Sequence, residues 1–315
     1  MFQFNLWAWL GFILCILFFL ALDIGAFHRR PRVIKIGEAI AWSIGWFLLA
    51  MLFAASIFIW RSRAEALQFT TGYVIEMTLS LDNVMVMAVL FAYFRVPLEY
   101  QHRLLFWGII GVLIMRGIMI YAGVTIVGYY DWILYVLGAF LVCAGIKMLV
   151  SKKRMNPEKN LVLWAARRIF SISENLDGRK FLTRVDGRLF LTPLALALLL
   201  VETTDLIFAV DSVPAVFSVT RNAFIIFTSN IFAILGLRSL YFLLAGAIGY
   251  FRYLNIGLSA VLVFIGVKML MDPHQHEPKW FQVALPASVS LMVVAAILLI
   301  SIALSVTAAH REKSR

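Results

Sequence analysis

An all-α protein threaded repeatedly through a lipid bilayer is the fold class this sequence predicts, and three observations carry it. Of the 315 residues 63% are hydrophobic and only 14% are charged, a balance that leaves a soluble domain too little polar surface to cover itself. Apolar runs of about twenty residues recur from end to end, each long enough to cross about 30 Å of hydrocarbon as a helix. Lys and Arg collect in alternate connections between those runs: with the N-terminus outside, 20 of the 28 fall on the cytoplasmic side and four outside. That asymmetry is the positive-inside rule. It also accounts for the net charge of +11 without a nucleic-acid partner.

Nine spans are predicted, at residues 5–27, 40–60, 68–94, 104–126, 131–150, 192–218, 222–248, 253–271 and 282–308, within a single transmembrane domain covering 1–315. The first is not a cleaved signal peptide, because its N-terminal flank lacks Lys and Arg and it ends in Phe27-His28-Arg29-Arg30-Pro31-Arg32, a stop-transfer flank. The N-terminus is therefore expected outside and the C-terminus in the cytoplasm. Asp23, near the inner end of this span, is expected to snorkel rather than to bind anything. Cys15 and Cys143 fall in different spans and read as small apolar residues.

The one long connection, 151–191, carries ten basic and four acidic residues. Within it Leu161–Phe170 has the pattern of an amphipathic helix lying on the inner membrane surface. The segment reads as a solvated linker drawn to anionic lipid, with a docking site for a cytoplasmic partner as the alternative.

The chain repeats itself. Gly145-Ile-Lys147-Met-Leu149 closes the fifth span and Gly266-Val-Lys268-Met-Leu270 the eighth. Some thirty residues before each lies an arginine inside a span, Arg116 or Arg238, and upstream of those come Asp82-Asn83-Val84 and Asp211-Ser212-Val213. Each unit, about 68–150 and about 192–271, contains three spans, so the second must run through the membrane inverted. Inverted repeats are a transporter signature, with the site at their interface near mid-membrane. Lys147 and Lys268, at span ends, are expected to reach the interface with their amines.

Five carboxylates stand where hydrocarbon belongs: Glu76 and Asp82 in the third span, Glu202, Asp205 and Asp211 in the sixth. Ionised groups at bilayer depth cost a few kcal/mol each at least, so they mark an ion or proton path. At about 100° per residue Glu202 and Asp205 share a face, whereas Asp211 points about 120° from Asp205, as Asp82 does from Glu76. Convergence of all five on one ion therefore requires bent or unwound spans. Pro214 cannot donate to the Val210 carbonyl and is expected to open the helix beside Asp211; in the third span Ser80 and Asn83 are the only local irregularity.

The candidate ligands are oxygens: the five carboxylates and Asn83, supported by Ser80, Thr203, Thr204 and Ser212. The five histidines (28, 102, 274, 276, 310) read as loop or tail residues. A site without thiolate or imidazole argues for magnesium, calcium or manganese. Met77 and Met85 flank the first motif, where a thioether ligand would favour manganese; packing is their alternative role. Arg116 and Arg238 neutralise part of the cluster and leave an acid excess that holds a dication or takes up protons. The competing reading is that arginines and acids form internal ion pairs that only fix helix packing. No phosphate loop, paired nucleophile and base, or cofactor fingerprint is present in the sequence, so neither an enzyme nor an ATP-driven pump is expected.

Glu76–Asn83, followed by Glu202-Thr-Thr-Asp-Leu-Ile-Phe-Ala-Val-Asp-Ser-Val-Pro214 and Thr228-Ser-Asn-Ile-Phe-Ala-Ile-Leu-Gly-Leu-Arg238, resembles the TerC family of integral membrane proteins, and within it the bacterial Alx branch. The resemblance runs from about residue 10 to 308. It implies manganese export at the bacterial inner membrane, with Glu76, Asp82, Glu202, Asp205 and Asp211 as ligands. It also implies the runner-up: a membrane stress or assembly factor, of the tellurium-resistance type, whose acidic cluster is structural or senses pH.

Overall fold

The fold is described by a computed structural model, which covers residues 6–27, 36–150, 161–173, 177–178, 180–185, 188–245, 254–272, 282–283 and 285–313. The side chain of Asp23, the loop residues His28, Arg252, His274, His276 and Lys279, and much of 151–191 lie outside the described residues.

Among the described residues ten helices and one hairpin form, in the order α1 (Leu6–Phe27), α2 (Ile36–Trp60), α3 (Arg63–Tyr93), α4 (Leu98–Tyr129), α5 (Ile133–Val150), α6 (Leu161–Ile169), β1 (Leu182–Val185), β2 (Arg188–Leu191), α7 (Pro193–Phe217), α8 (Ala223–Ala245), α9 (Leu254–Met271) and α10 (Ala287–Lys313). Where nine spans are predicted, seven helices (α2, α3, α4, α5, α7, α8 and α10) are long and apolar enough to cross a membrane among the described residues. The apolar stretches of α1 (Trp7–Phe19) and α9 (Asn255–Met271) are shorter.

Local chemistry sets the ends of the two acid-bearing helices. Ser62 caps α3 by accepting from the Glu65 amide at 3.1 Å, and the spacing is that of a capping box. Thr192 caps α7, and Pro193 takes the first helical position, where a missing N–H costs nothing. Both helices then run unbroken. Pro214 lies inside α7 without unwinding it, so the expected opening beside Asp211 does not form. The helix continues to Phe217 past one undonated carbonyl, that of Val210.

Three interfaces organise the bundle. An aromatic cluster built from Phe12, Phe53, Phe69, Phe224 and Phe232 joins α1 and α2 to α3 and α8. α3 and α4 face α7 and α8 across the centre. α5 packs along α9 at backbone distance: a Cβ on Gly145 would stand 2.9 Å from the Ser259 carbonyl and 2.8 Å from Val263, and one on Gly266 would stand 2.7 Å from the Gly138 carbonyl and 2.8 Å from Val142. Small residues permit this approach where no hydrophobic effect drives helix association. As numbers rise along α5 their partners fall along α9, so the two helices are antiparallel. The contacts also exchange with one another under a displacement of 121 positions, 138 to 259, 142 to 263 and 145 to 266.

The amphipathic helix forms as α6, but its apolar face is spent on the bundle itself. Leu163 and Ala166 are buried in the cluster that contains Val84, Leu105 and Leu200. Trp164 faces outward, with the Arg168 guanidinium 5.5 Å above its ring. The β1–β2 hairpin is antiparallel and is tied to the start of α7 by Thr192, whose hydroxyl donates to the Lys180 carbonyl at 2.8 Å.

Candidate functional site

Arg116 organises the interior. The helical spacing of Ile109, Val112 and Arg116 turns one stripe of α4 inward, and this guanidinium is 1% exposed. Its Nη1 donates to a Glu76 carboxylate oxygen and, at 3.0 Å, to the Ser212 hydroxyl. Its Nε and Nη2 donate to the two oxygens of Asp205 at 3.1 and 3.3 Å, a two-point clasp that the planar guanidinium suits. Asn83 Nδ2 completes the network by donating to Asp205 at 2.9 Å. Glu76 and Asp205 are 0% and 2% exposed. Bringing two carboxylates this deep is tolerable only because the guanidinium and the Asn83 amide meet them.

Glu76 and Asp205 are 129 positions apart, and so are Asn83 and Ser212. Asp82 and Asp211 share that displacement, yet the straight helices carry both about 120° away from the clasp, and neither forms an ion pair among the described residues. Asp211 is under the electrostatic influence of Lys147 from α5.

Glu202 is seated separately. Its carboxylate lies against the bare backbone of Gly111 on α4, where a Cβ would overlap all three carboxylate atoms. Its Oε2 is buried with no hydrogen-bond partner, and it repels Asp205 one turn away. The Thr203 hydroxyl donates back to the Leu199 carbonyl at 2.8 Å, whereas the buried Thr204 hydroxyl has no partner. Ser80 Oγ, Asn83 Oδ1 and Glu76 Oε2 are likewise buried and unpartnered. Arg238 is buried on α8.

Among the described residues no three His, Cys, Asp or Glu side chains come together as ligands for one metal ion. The five acids therefore do not converge here. A guanidinium occupies the space between the two that face each other, and helix geometry holds the others off.

Two further sequence expectations are corrected. Lys268 does not reach an interface. It is 3% exposed and donates to the Ser218 carbonyl at the C-terminus of α7 at 2.7 Å, where a cation offsets the helix dipole and an unpaired carbonyl. His102 is not a loop residue but lies in α4, 9% exposed, because α4 begins earlier than its apolar run implies. Sequence reasoning missed Lys268 and Gly111, since both act through what lies opposite them. At the end where α3 begins and α7 finishes, a cavity of about 510 Å³ opens between Glu65, Gln68, Asp131, Phe217, Thr220 and Asn222. The Arg221–Asp131 ion pair, at 2.6 Å, stands beside it.

Comparison with known proteins agrees with this architecture. Residues 61–313 match the integral membrane protein TerC family. The chain is 48% identical over 299 residues to an uncharacterized membrane protein, STKORF319, of Myxococcus xanthus, covering 94% of this chain and 91% of that one. It is 41% identical over 315 residues to a protein of Escherichia coli K12 described as a putative membrane-bound redox modulator, Alx, covering 96% and 95%. It is also 38% identical to an uncharacterized membrane protein of Rickettsia felis, covering 95% and 97%. No solved structure matches the chain significantly.

Proposed function

The chain belongs to the TerC family of integral membrane proteins, and from that premise we propose that it is a secondary transporter that exports a hard divalent cation, manganese foremost, in exchange for protons. The observation that carries the reading is the meeting of Glu76 and Asp205, equivalent acids of the two halves, at one buried cation in the middle of an apolar bundle. Two carboxylates against one guanidinium leave a negative charge when all three are ionised. The surrounding unpartnered atoms of Glu76, Ser80, Asn83, Glu202 and Thr204 are all oxygens. An oxygen-only set suits manganese, magnesium or calcium rather than zinc or copper(I). A thioether from Met77 or Met85, which flank the first motif, would weight the choice toward manganese.

In the reading proposed, Arg116 is the resting counter-cation of the empty site. A dication enters by taking Glu76 and Asp205 from the guanidinium, with Asp82, Asp211 and Glu202 as the acids along its way. Protons then occupy the carboxylates on the return. The architecture that goes with it is nine spans, N-terminus outside and C-terminus cytoplasmic in a bacterial inner membrane, with α3–α5 and α7–α9 as inverted repeats. Supporting the inversion is the antiparallel, self-exchanging register of α5 against α9, the contact expected of a two-fold axis lying in the membrane plane. The protein catalyses no covalent chemistry.

The test is flux from vesicles loaded with Mn2+, with and without an imposed proton gradient. Efflux above empty vesicles that is accelerated by the gradient is expected; no efflux in either condition overturns the proposal. A second reading, a membrane stress or assembly factor whose acids are structural, is favoured by the complete engagement of Arg116 with Glu76, Asp205 and Ser212. Redox modulation, named for the Escherichia coli relative, falls within this reading, and unaltered envelope redox balance in cells lacking the protein would remove it.

A further inference from the structure

Asn230 is 0% exposed, and neither its amide nitrogen nor its oxygen has a hydrogen-bond partner among the described residues. Buried amides in native proteins are almost always satisfied, because a polar group taken from water without a new partner loses its hydration for nothing. Its surroundings can be read from the residues one turn to either side. Ile226 packs in the cluster that holds Ile75 of α3, Ile120 of α4 and Val213 of α7. Ile234 packs against Ile109 and Val112 of α4. With Phe227 against Gly117 and Ile234 packed with Ile109 and Val112, α8 runs antiparallel to α4, and Asn230 falls within about one helical turn of Arg116.

The helix wheel agrees. Phe227 faces α4 at Gly117, and Ser229 faces α3 at Gly72. Asn230 lies about 60° from the first and 100° from the second, in the sector between them, where the Arg116–Glu76 bond crosses from α4 to α3.

From this we infer that Asn230 is the α8 ligand of the central site, its side-chain oxygen serving as a neutral ligand to the divalent cation on the side of the free Glu76 oxygen. The inference rests on the transport reading and adds a fourth helix to it. A neutral oxygen lowers the charge the site presents without lowering the number of its ligands, and ligand charge count and number are what distinguish one hard dication from another. Asn230 is thereby a residue of selectivity as much as of affinity.

The experiment is the vesicle flux assay run on the unaltered protein, Asn230→Leu and Asn230→Asp, with Mn2+ and Ca2+ each as the carried ion. Leucine nearly conserves volume and removes both polar ends. Asn230→Leu is expected to raise the apparent KM for Mn2+ by about 10-fold or more, and Asn230→Asp to restore binding with a changed Mn2+ to Ca2+ preference. A purely structural amide would alter the yield or thermal midpoint of the variants and leave KM and ion preference where they were. An unaltered protein that transports, alongside an Asn230→Leu variant with the same KM and preference, overturns this inference alone. Absence of flux in the unaltered protein overturns the transport reading and this inference with it.

Discussion

Glu76 and Asp205 sit in the grip of Arg116, whereas Asp82 and Asp211, six residues further along the same two helices, stand free of it. The difference arises from helical phase: six residues rotate a side chain by about 240°, leaving it about 120° off the face that bears the first acid. Each of the two helices thus holds one acid in the clasp and one off it. Only the first pair carries a stability role; both carry the proposed transport role.

The sharpest way to break that contrast is to remove the shared cation. Arg116→Ala leaves two buried carboxylates uncompensated and is expected to cost about 3–5 kcal/mol, read as a lowered unfolding midpoint in detergent. Adding Glu76→Gln and Asp205→Asn to it should recover much of the loss, because no unpaired charge then remains. A single Arg116→Ala variant as stable as the parent would show that the clasp carries no load.

Asp82→Asn and Asp211→Asn address the outer pair. Each should reduce Mn2+ flux on the order of 100-fold while changing stability by no more than about 0.5 kcal/mol. Normal flux from both variants would separate these acids from the site. The third acid of α7 offers a finer contrast. Gly111→Ala drives a Cβ into the Glu202 carboxylate, the far end of a flexible side chain that can turn aside, and should change Mn2+ flux more than stability. Gly117→Ala, where the nearest atom, of Phe227, is 3.5 Å away, should be neutral within about 0.5 kcal/mol. Equal effects at the two glycines would mean that Glu202 is not held where it is described.

The smallest effect lies outside the membrane. The Thr183 hydroxyl and the Lys180 ammonium donate to Asp177 and hold its carboxyl below the ordinary value of 3.8. A depressed folded-state pKa contributes order that is complete above 3.8 and is lost as pH falls through the lower folded value. Amide exchange in the β1–β2 hairpin should therefore be unaffected by this group from neutral pH down to mildly acidic pH and quicken only below 3.8. Quickening near neutral pH would assign the hairpin's order to another group.

Much of this was legible along the chain because the relevant cost is a property of single residues. An ionised group in an apolar run is expensive wherever the run goes, so Glu76, Asp205 and Arg116 declared themselves before any fold was known. The 120° separation of Asp82 and Asp211 followed from helical pitch alone. So did the amphipathic stretch that became α6, although not the surface on which its apolar face came to rest.

What the tertiary structure alone decided is which groups face each other. Lys268 stands at the end of an apolar run like any snorkelling lysine, and only the arrival of the α7 C-terminus beside it supplies a carbonyl to bury it against. Gly111 is one glycine among several until Glu202 lies across it. The sequence by itself determined how many charges must be hidden and on which helices. The pairing that hides them depends on contacts between residues a hundred or more positions apart, and no local pattern encodes those.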